Sequence, residues 1–292
     1  MLTSTLRMSQ PIRRAAVAGT WYPGRPDVLA RDVDRCLDAV HQVVDGDIIG
    51  LVVPHAGLAY SGPVAAHAYH AVIDRSYDVA VLVGPSHFVG FEGIAIQRAG
   101  SFETPLGRVL ISEIDAEAIA AASAAIHDRP AAHLREHSLE MQLPFLQRVL
   151  PQTPIVPLVM GHQTPDTVTR LADALVEALS TRRALLVASS DLSHFQQAPR
   201  AARLDAVVID AINRFDPETL ARALGKFPDH ACGGGPIVSV MLAARGLGAA
   251  DARVMCYADS GEVSGDKGSV VGYLAAVLGT LSAPDAASEE LA

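Results

Sequence analysis

The chain has 292 residues, half of them hydrophobic, which is ample to bury a substantial core. Its formal net charge is −9, with acidic and basic residues interspersed; that balance argues against a nucleic-acid groove or an anionic membrane surface as partner, since both need a concentrated basic patch. The apolar stretches are short and broken by charged residues, so no transmembrane helix is expected, and three scattered cysteines (Cys36, Cys232, Cys256) suit a reducing cytoplasm rather than a disulfide framework.

The opening MLTSTLRMSQPIRR is followed by no apolar run, so residues 1–14 read as a disordered leader rather than a secretory signal. Residues 15–280 carry no linker or charge block and read as one domain, and 281–292, rich in Ala, Glu and Asp, as a flexible tail. From Asp27 to Val40 the apolar residues Leu29, Val33, Cys36, Leu37 and Val40 form a helical stripe behind Pro26. Ile48–Val53 is a nearly continuous apolar run, the pattern of a strand buried on both faces, and it breaks at Pro54. Pro63–Ile73 reads as helix. Val79–Val83 is a second buried strand, ending at Gly84-Pro85. Gly93–Ile96, the turn Thr104–Gly107 and Arg108–Ile111 suggest an antiparallel addition. Ile155–Val159 and Ala184–Ala188 are two more strands, separated by the helical stretch Thr167–Leu179. Pro236 is placed to open a helix running to about Arg245, and Arg253–Ala258 and Ser269–Leu278 are strands joined by a Gly-rich loop. Strands alternating with helices predict a single α/β domain: a mixed, mostly parallel central sheet flanked by helices.

The polar residues gather at the strand ends. The first buried strand runs into PHAGLAYSG, the second into GPSHF and the fourth into SSDLSHF, so three strand ends each deliver a histidine. In a parallel sheet the C-terminal strand ends share one edge, where ligands bind, and His55, His87, Asp191 and His194 should therefore converge. Cys232, in ACGGGPI, precedes a helix whose dipole would favour a thiolate. Thiolate and neutral imidazole suit zinc, copper or iron rather than magnesium or calcium, and two histidines with one cysteine would leave a coordination position open. EHSLEMQLPF enters a helix in which Leu139, Leu143 and Leu146 form a core stripe; Glu136 and its neighbours either favour the helix dipole, or His137 or Glu140 points into the pocket and holds a ligand imidazole from behind. Trp21, Tyr22 and Tyr60 are candidate wall aromatics. Most remaining histidines (His41, His67, His70, His127, His133, His162, His230) read as structural, and Cys36 and Cys256 as small core hydrophobes.

Taken in order, AGTWYPG, PHAGLAYSGPVAAHAY, GPSHF, EHSLEMQLPF, SSDLSH and CGGGP resemble the Memo-like family (mediator of ErbB2-driven cell motility), over about Ala18 to Leu278. The resemblance implies a fold similar to class III extradiol dioxygenases of the LigB type, which are non-haem iron enzymes. It implies His55, His87 and Cys232 as ligands of one transition-metal ion, iron(II) or copper ahead of zinc, with His194 as proton donor or acceptor and Asp191 beside it. Prokaryotic members, labelled AmmeMemoRadiSam system protein B, are encoded beside AMMECR1-like and radical-SAM proteins, which implies those as partners. Three functions follow from the two readings together. The first is a metal-dependent oxidoreductase of unknown substrate; because a thiolate replaces the dioxygenase carboxylate, catechol ring cleavage does not transfer with the fold. The second is a non-catalytic module binding metal, a small molecule or a peptide, as eukaryotic Memo docks peptide. The third is a hydrolase with Cys232 as nucleophile and His194 and Asp191 as base and orienter.

Overall fold

A computed structural model describes residues 11–282. The strands are β1 (Ile12–Arg13), β2 (Gly46–Val53), β3 (Val79–Pro85), β4 (Ile94–Ile96), β5 (Ser101–Thr104), β6 (Gly107–Leu110), β7 (Ile126–Asp128), β8 (Ile155–Met160), β9 (Ala184–Ser189), β10 (His194–Gln196), β11 (Asp251–Asp259) and β12 (Val270–Leu281). The helices are α1 (Pro26–Asp38), α2 (Leu58–His70), α3 (Glu113–Ala122), α4 (Pro130–His133), α5 (Leu143–Val149), α6 (Pro165–Leu179), α7 (Ala198–Asn213), α8 (Pro217–Lys226), α9 (Gly234–Gly246) and α10 (Gly261–Ser264).

Nine strands form one sheet in the order β10-β12-β2-β9-β3-β8-β4-β7, with β11 paired to β12 along the edge opposite β2. Its centre is parallel: β9 lies between β2 and β3, and β8 continues beyond β3. The edges are antiparallel, through β12 and its hairpin partner β11 on one side and β4 on the other. Every residue of β3, β8 and β9 is buried, which their unbroken apolar sequences anticipate, because helices cover both faces. The β2→β3 and β8→β9 crossovers run in opposite directions across the sheet, so right-handed connections put α2 and α6 on opposite faces. The helix α9, apolar nearly all round, is buried along almost its whole length against β2, β3 and β9.

Several boundaries differ from the sequence reading. Arg13, inside the stretch read as a leader, is 2 % exposed, and β1 pairs with β5 in a separate three-stranded sheet β1-β5-β6. The earlier leader residues 1–10 and the tail from 283 lie outside the described residues. The helix expected from Pro63 begins at Leu58 and carries Pro63 inside it, because its amino-terminal turn already bonds back to the carbonyl of Gly57. No helix among the described residues is long and apolar enough to cross a membrane.

Candidate metal centre

The parallel strand ends place the histidines as strand direction requires. Pro54 ends β2 and turns the chain so that His55 is 2 % exposed, its imidazole Nδ1 2.9 Å from Ser189 Oγ at the end of β9. The Ser189 hydroxyl donates to the Ser138 carbonyl at 2.7 Å and accepts from Gln142 Nε2 at 2.8 Å. Gln142 is itself oriented, since its Nε2 also donates to the Pro54 carbonyl and its Oε1 accepts from the Tyr69 hydroxyl. With the serine proton committed to a carbonyl, Ser189 receives a hydrogen from His55 Nδ1. The Nε2 lone pair of His55 is therefore free, and it faces Cys232 Sγ at 3.2 Å.

His87 follows β3 and is held from behind by Glu136. The carboxylate accepts from the His87 backbone N–H at 2.7 Å, from His87 Nδ1 at 2.9 Å and from the Ser138 N–H at 2.9 Å. Burial pushes the Glu136 carboxyl up, yet the hydrogen bonds from His87 and Ser138 outweigh it and bring the pKa down to about 2. An ionised Glu136 fixes the His87 tautomer with hydrogen on Nδ1 and leaves Nε2 for a ligand. His137 stacks on His87 with centroids 4.5 Å apart, under Trp21 at 4.2 Å. Burial, and then the neighbouring His87, lowers His137 to about 4, while burial and the same neighbour hold His55 well below the usual histidine range. Both rings are neutral near neutral pH, the form that coordinates metal.

Cys232 lies two residues ahead of α9. Its loop is tied to the residue after β9, where Gly233 N–H donates to Ser190 Oγ at 2.9 Å, and to the segment after β8, where Gln163 Nε2 donates to the Cys232 carbonyl at 2.7 Å. Gly233 permits this approach: a Cβ there would stand 2.5 Å from the Ser189 carbonyl oxygen and 2.8 Å from Ser190 Cβ. Burial, and then the adjacent Asp191 charge, pushes the Cys232 thiol well above its usual range. The helix terminus expected to favour the thiolate is outweighed by desolvation, so in the absence of a metal Sγ stays protonated. Donor atoms of His55, His87 and Cys232 all lie within 4.8 Å of one another. The set His87, Glu136 and His137 meets the same distance, but there the carboxylate already accepts three hydrogen bonds.

Two expected roles are reassigned by the geometry. Glu140 does not hold a ligand imidazole. The 3-10 turn at Glu140–Gln142 aims it at the amino-terminal segment, where it pairs with Arg13 and accepts from the Ala16 and Val17 N–H groups and the Tyr22 hydroxyl. Glu136, one turn earlier, does that work. Asp191 does not orient His194: its Oδ1 accepts from the backbone N–H of His55 at 2.7 Å and of Ala56 at 3.2 Å, and burial raises it to about 6 against those bonds. His194 is oriented by its own backbone, with Nδ1 2.8 Å from the Leu192 carbonyl. It sits at a β-bulge against β12, and the next residue, Phe195, has φ 58°, so backbone distortion sets the imidazole direction. The Cys232–His194–Asp191 arrangement of a thiol hydrolase is thus not assembled, because the imidazole hydrogen-bonded to Cys232 is His55.

Glu136, Gln142, Ser189 and Gln163 were not singled out as site residues from the sequence. The available signal was polar side chains at 136, 140 and 142 interleaved with the apolar Leu139, Met141 and Leu143, where burial demands specific partners. Of the candidate wall aromatics, Trp21 covers His137 and is 38 % exposed, while Tyr22 is buried on Glu140.

Comparison with known proteins gives a consistent family. The model of the Memo-like protein family matches residues 13–277. A MEMO1 family protein of Methanothermobacter thermautotrophicus is 37 % identical over 274 residues, covering 90 % of this chain and 98 % of its own. One from Thermotoga sp. is 37 % identical, covering 91 % and 99 %. The crystal structure of uncharacterized protein JW3007 from Escherichia coli K12 aligns with a TM-score of 0.53 at 16 % identity, over 80 % of this chain and 100 % of that one, which shows a shared fold alone. With the family pattern matched from Arg13 to Val277 and relatives matched over almost their entire lengths, this chain belongs to the Memo-like family.

Proposed function

We propose that His55, His87 and Cys232 hold one transition-metal ion, iron(II) or copper ahead of zinc, and that the protein is a metal-dependent oxidoreductase acting on a small molecule. The observation that carries this reading is the pair of ordered hydrogen-bond chains that turn the free Nε2 of His55 toward Cys232 and leave Nε2 of His87 unshared. The donor set fits a metal: with metal–sulfur and metal–nitrogen bonds of about 2.3 and 2.0 Å, tetrahedral ligands stand roughly 3.5 Å apart. The S–H proton now facing His55 Nε2 is the one an ion would replace. A bound iron or copper would supply redox chemistry and Lewis acidity. His194, with Nδ1–H committed to Leu192, keeps Nε2 able to accept a proton from a substrate.

Metal analysis of protein from its native host, with Fe(II), Cu(I) and Zn(II) titrations, tests the centre. One equivalent should bind with an anomalous signal between His55, His87 and Cys232, and Cys232→Ser should lose it. An ion elsewhere, or full retention by Cys232→Ser, removes the proposal. A second reading, a peptide-docking module for partners such as AMMECR1-like or radical-SAM proteins, is favoured by exposed aromatics beside the site. Phe88 and Phe195 are 48 % and 76 % exposed and adjoin His137 and His194. A stable complex in which the isolated protein consumes no substrate would select it.

A further inference from the structure

Outside the candidate metal centre, α7, α8 and the turn at 228–230 line an open pocket of about 600 Å³ whose wall includes Arg200, Arg203, Arg222, Lys226, Phe227 and His230 and no carboxylate. Four permanent cations in one pocket are unexpected on a chain of net charge −9. Among the described residues none of the four forms an ion pair, whereas on another face of α8 Glu218 is paired with Arg245. The nearby Asp216 is engaged in capping α8, accepting from the Thr219 N–H at 2.8 Å and the Thr219 hydroxyl at 2.6 Å. Arg222 in turn donates to Thr219 Oγ1 at 2.7 Å, which restrains one edge of its guanidinium and leaves other donors available.

A second observation is independent of the surface charge. His230 is only 6 % exposed, and its buried Nδ1 has no hydrogen-bond partner. A buried polar nitrogen without a partner is costly unless something supplies one. Phe227, 59 % exposed, stacks on His230 with centroids 5.6 Å apart and planes at 15°. The pocket therefore combines several guanidinium forks, an ammonium and an exposed aromatic face that is backed by a buried imidazole.

We propose that this pocket binds the phosphate groups of a phosphorylated small molecule. Guanidinium forks match phosphate oxygens two at a time, and a ligand with two or more phosphates brings a negative charge comparable with that of the four cations. The pocket has the size of a small-molecule site, and a net charge of −9 is unlike that of a nucleic-acid-binding chain. Its lining includes none of His55, His87 and Cys232, although His230 lies two residues before Cys232, and the proposal does not depend on an ion being bound there.

Calorimetric titration of the full chain, in low salt with a chelator present, tests the proposal with pyrophosphate and ADP as probes. Saturable binding of at least one is expected, weakening as salt is raised. Arg203→Glu/Arg222→Glu, at two exposed positions, should weaken it roughly tenfold or more, as reversal of two of the four charges requires. If that variant does not fold, Arg200→Gln/Arg203→Gln makes the same comparison without reversal. Equal affinity for the two probes assigns recognition to the phosphates alone. Tighter ADP binding that is lost in Phe227→Ala adds stacking on that ring. The proposal is overturned if neither probe binds at about 5 mM, if the charge variants bind as wild type does, or if short single-stranded DNA outcompetes both probes.

Discussion

Replacing Glu136 by glutamine separates a carboxylate that tunes the proposed metal centre from one that merely fills space. The side chain is 2 % exposed and accepts three hydrogen bonds, two on Oε1 and one on Oε2. Glutamine has nearly the same shape but only one accepting oxygen. If that oxygen keeps His87 Nδ1 and Ser138, the new NH₂ faces the His87 backbone N–H, and a buried donor is left unsatisfied at a cost of about 1–3 kcal/mol. If the amide flips, its NH₂ meets His87 Nδ1; the ring then takes the other tautomer, and Nε2 carries hydrogen where a metal needs a lone pair. Either outcome should lower metal affinity roughly 10- to 100-fold, the usual effect of removing an orienting partner, equivalent to about 1.4–2.7 kcal/mol. Competition against a chelator, with Co(II) as a spectroscopic probe of thiolate ligation, measures it; urea denaturation of the metal-free protein measures the stability term separately. If stability falls while metal affinity stays within about twofold of wild type, Glu136 serves the fold alone and the orienting argument fails.

Further predictions concern the scaffold. His133, 1 % exposed, is lowered from 6.5 to about 4 by burial and then by the Arg13 charge. Because the folded pKa is depressed, its contribution is intact above pH 6.5 and is lost as the unfolded chain alone takes up a proton down to about pH 4, a loss of about 3 kcal/mol; His133→Leu should flatten the pH dependence of the denaturation free energy in that window, and an unchanged slope refutes the assignment. Arg13→Met leaves the Glu140 carboxylate buried with only the Tyr22 hydroxyl and two backbone donors, and should cost about 3 kcal/mol, a fall in melting temperature of roughly 6–12 °C. A loss under about 2 °C would mean that the ion pair contributes little. Gly233→Ala must displace either Ser189–Ser190 or the Cys232 loop, so stability should fall by about 1–3 kcal/mol with a parallel loss of metal affinity; a variant matching wild type in both would show that the loop has room.

Much of the architecture was legible from local pattern. The buried strands announced themselves as unbroken apolar runs between Pro and Gly breaks, and the helical stripe of α1 as Leu29, Val33 and Leu37 on one buried face. Strand direction then required that His55, His87 and the SSDLSH segment meet at one sheet edge, since parallel strands end together. Less legible was anything set by long-range hydrogen bonds. Arg13 looked like a leader residue because nothing local reveals a carboxylate 127 positions away.

Sequence by itself determined the α/β layering, the gathering of histidines and Asp191 at the carboxyl edge, and the soft-donor character that Cys232 adds. Tertiary structure decided which groups act on which. It placed Cys232 Sγ against His55 rather than His194, put Glu136 rather than Glu140 behind a ligand-type imidazole, and turned Asp191 to the backbone of His55 instead of the ring of His194. The physical reason is that periodicity and strand direction fix where a side chain starts. The proton bookkeeping of Ser189, Gln142 and Glu136, which decides what each imidazole presents, exists only once residues dozens of positions apart are packed out of water.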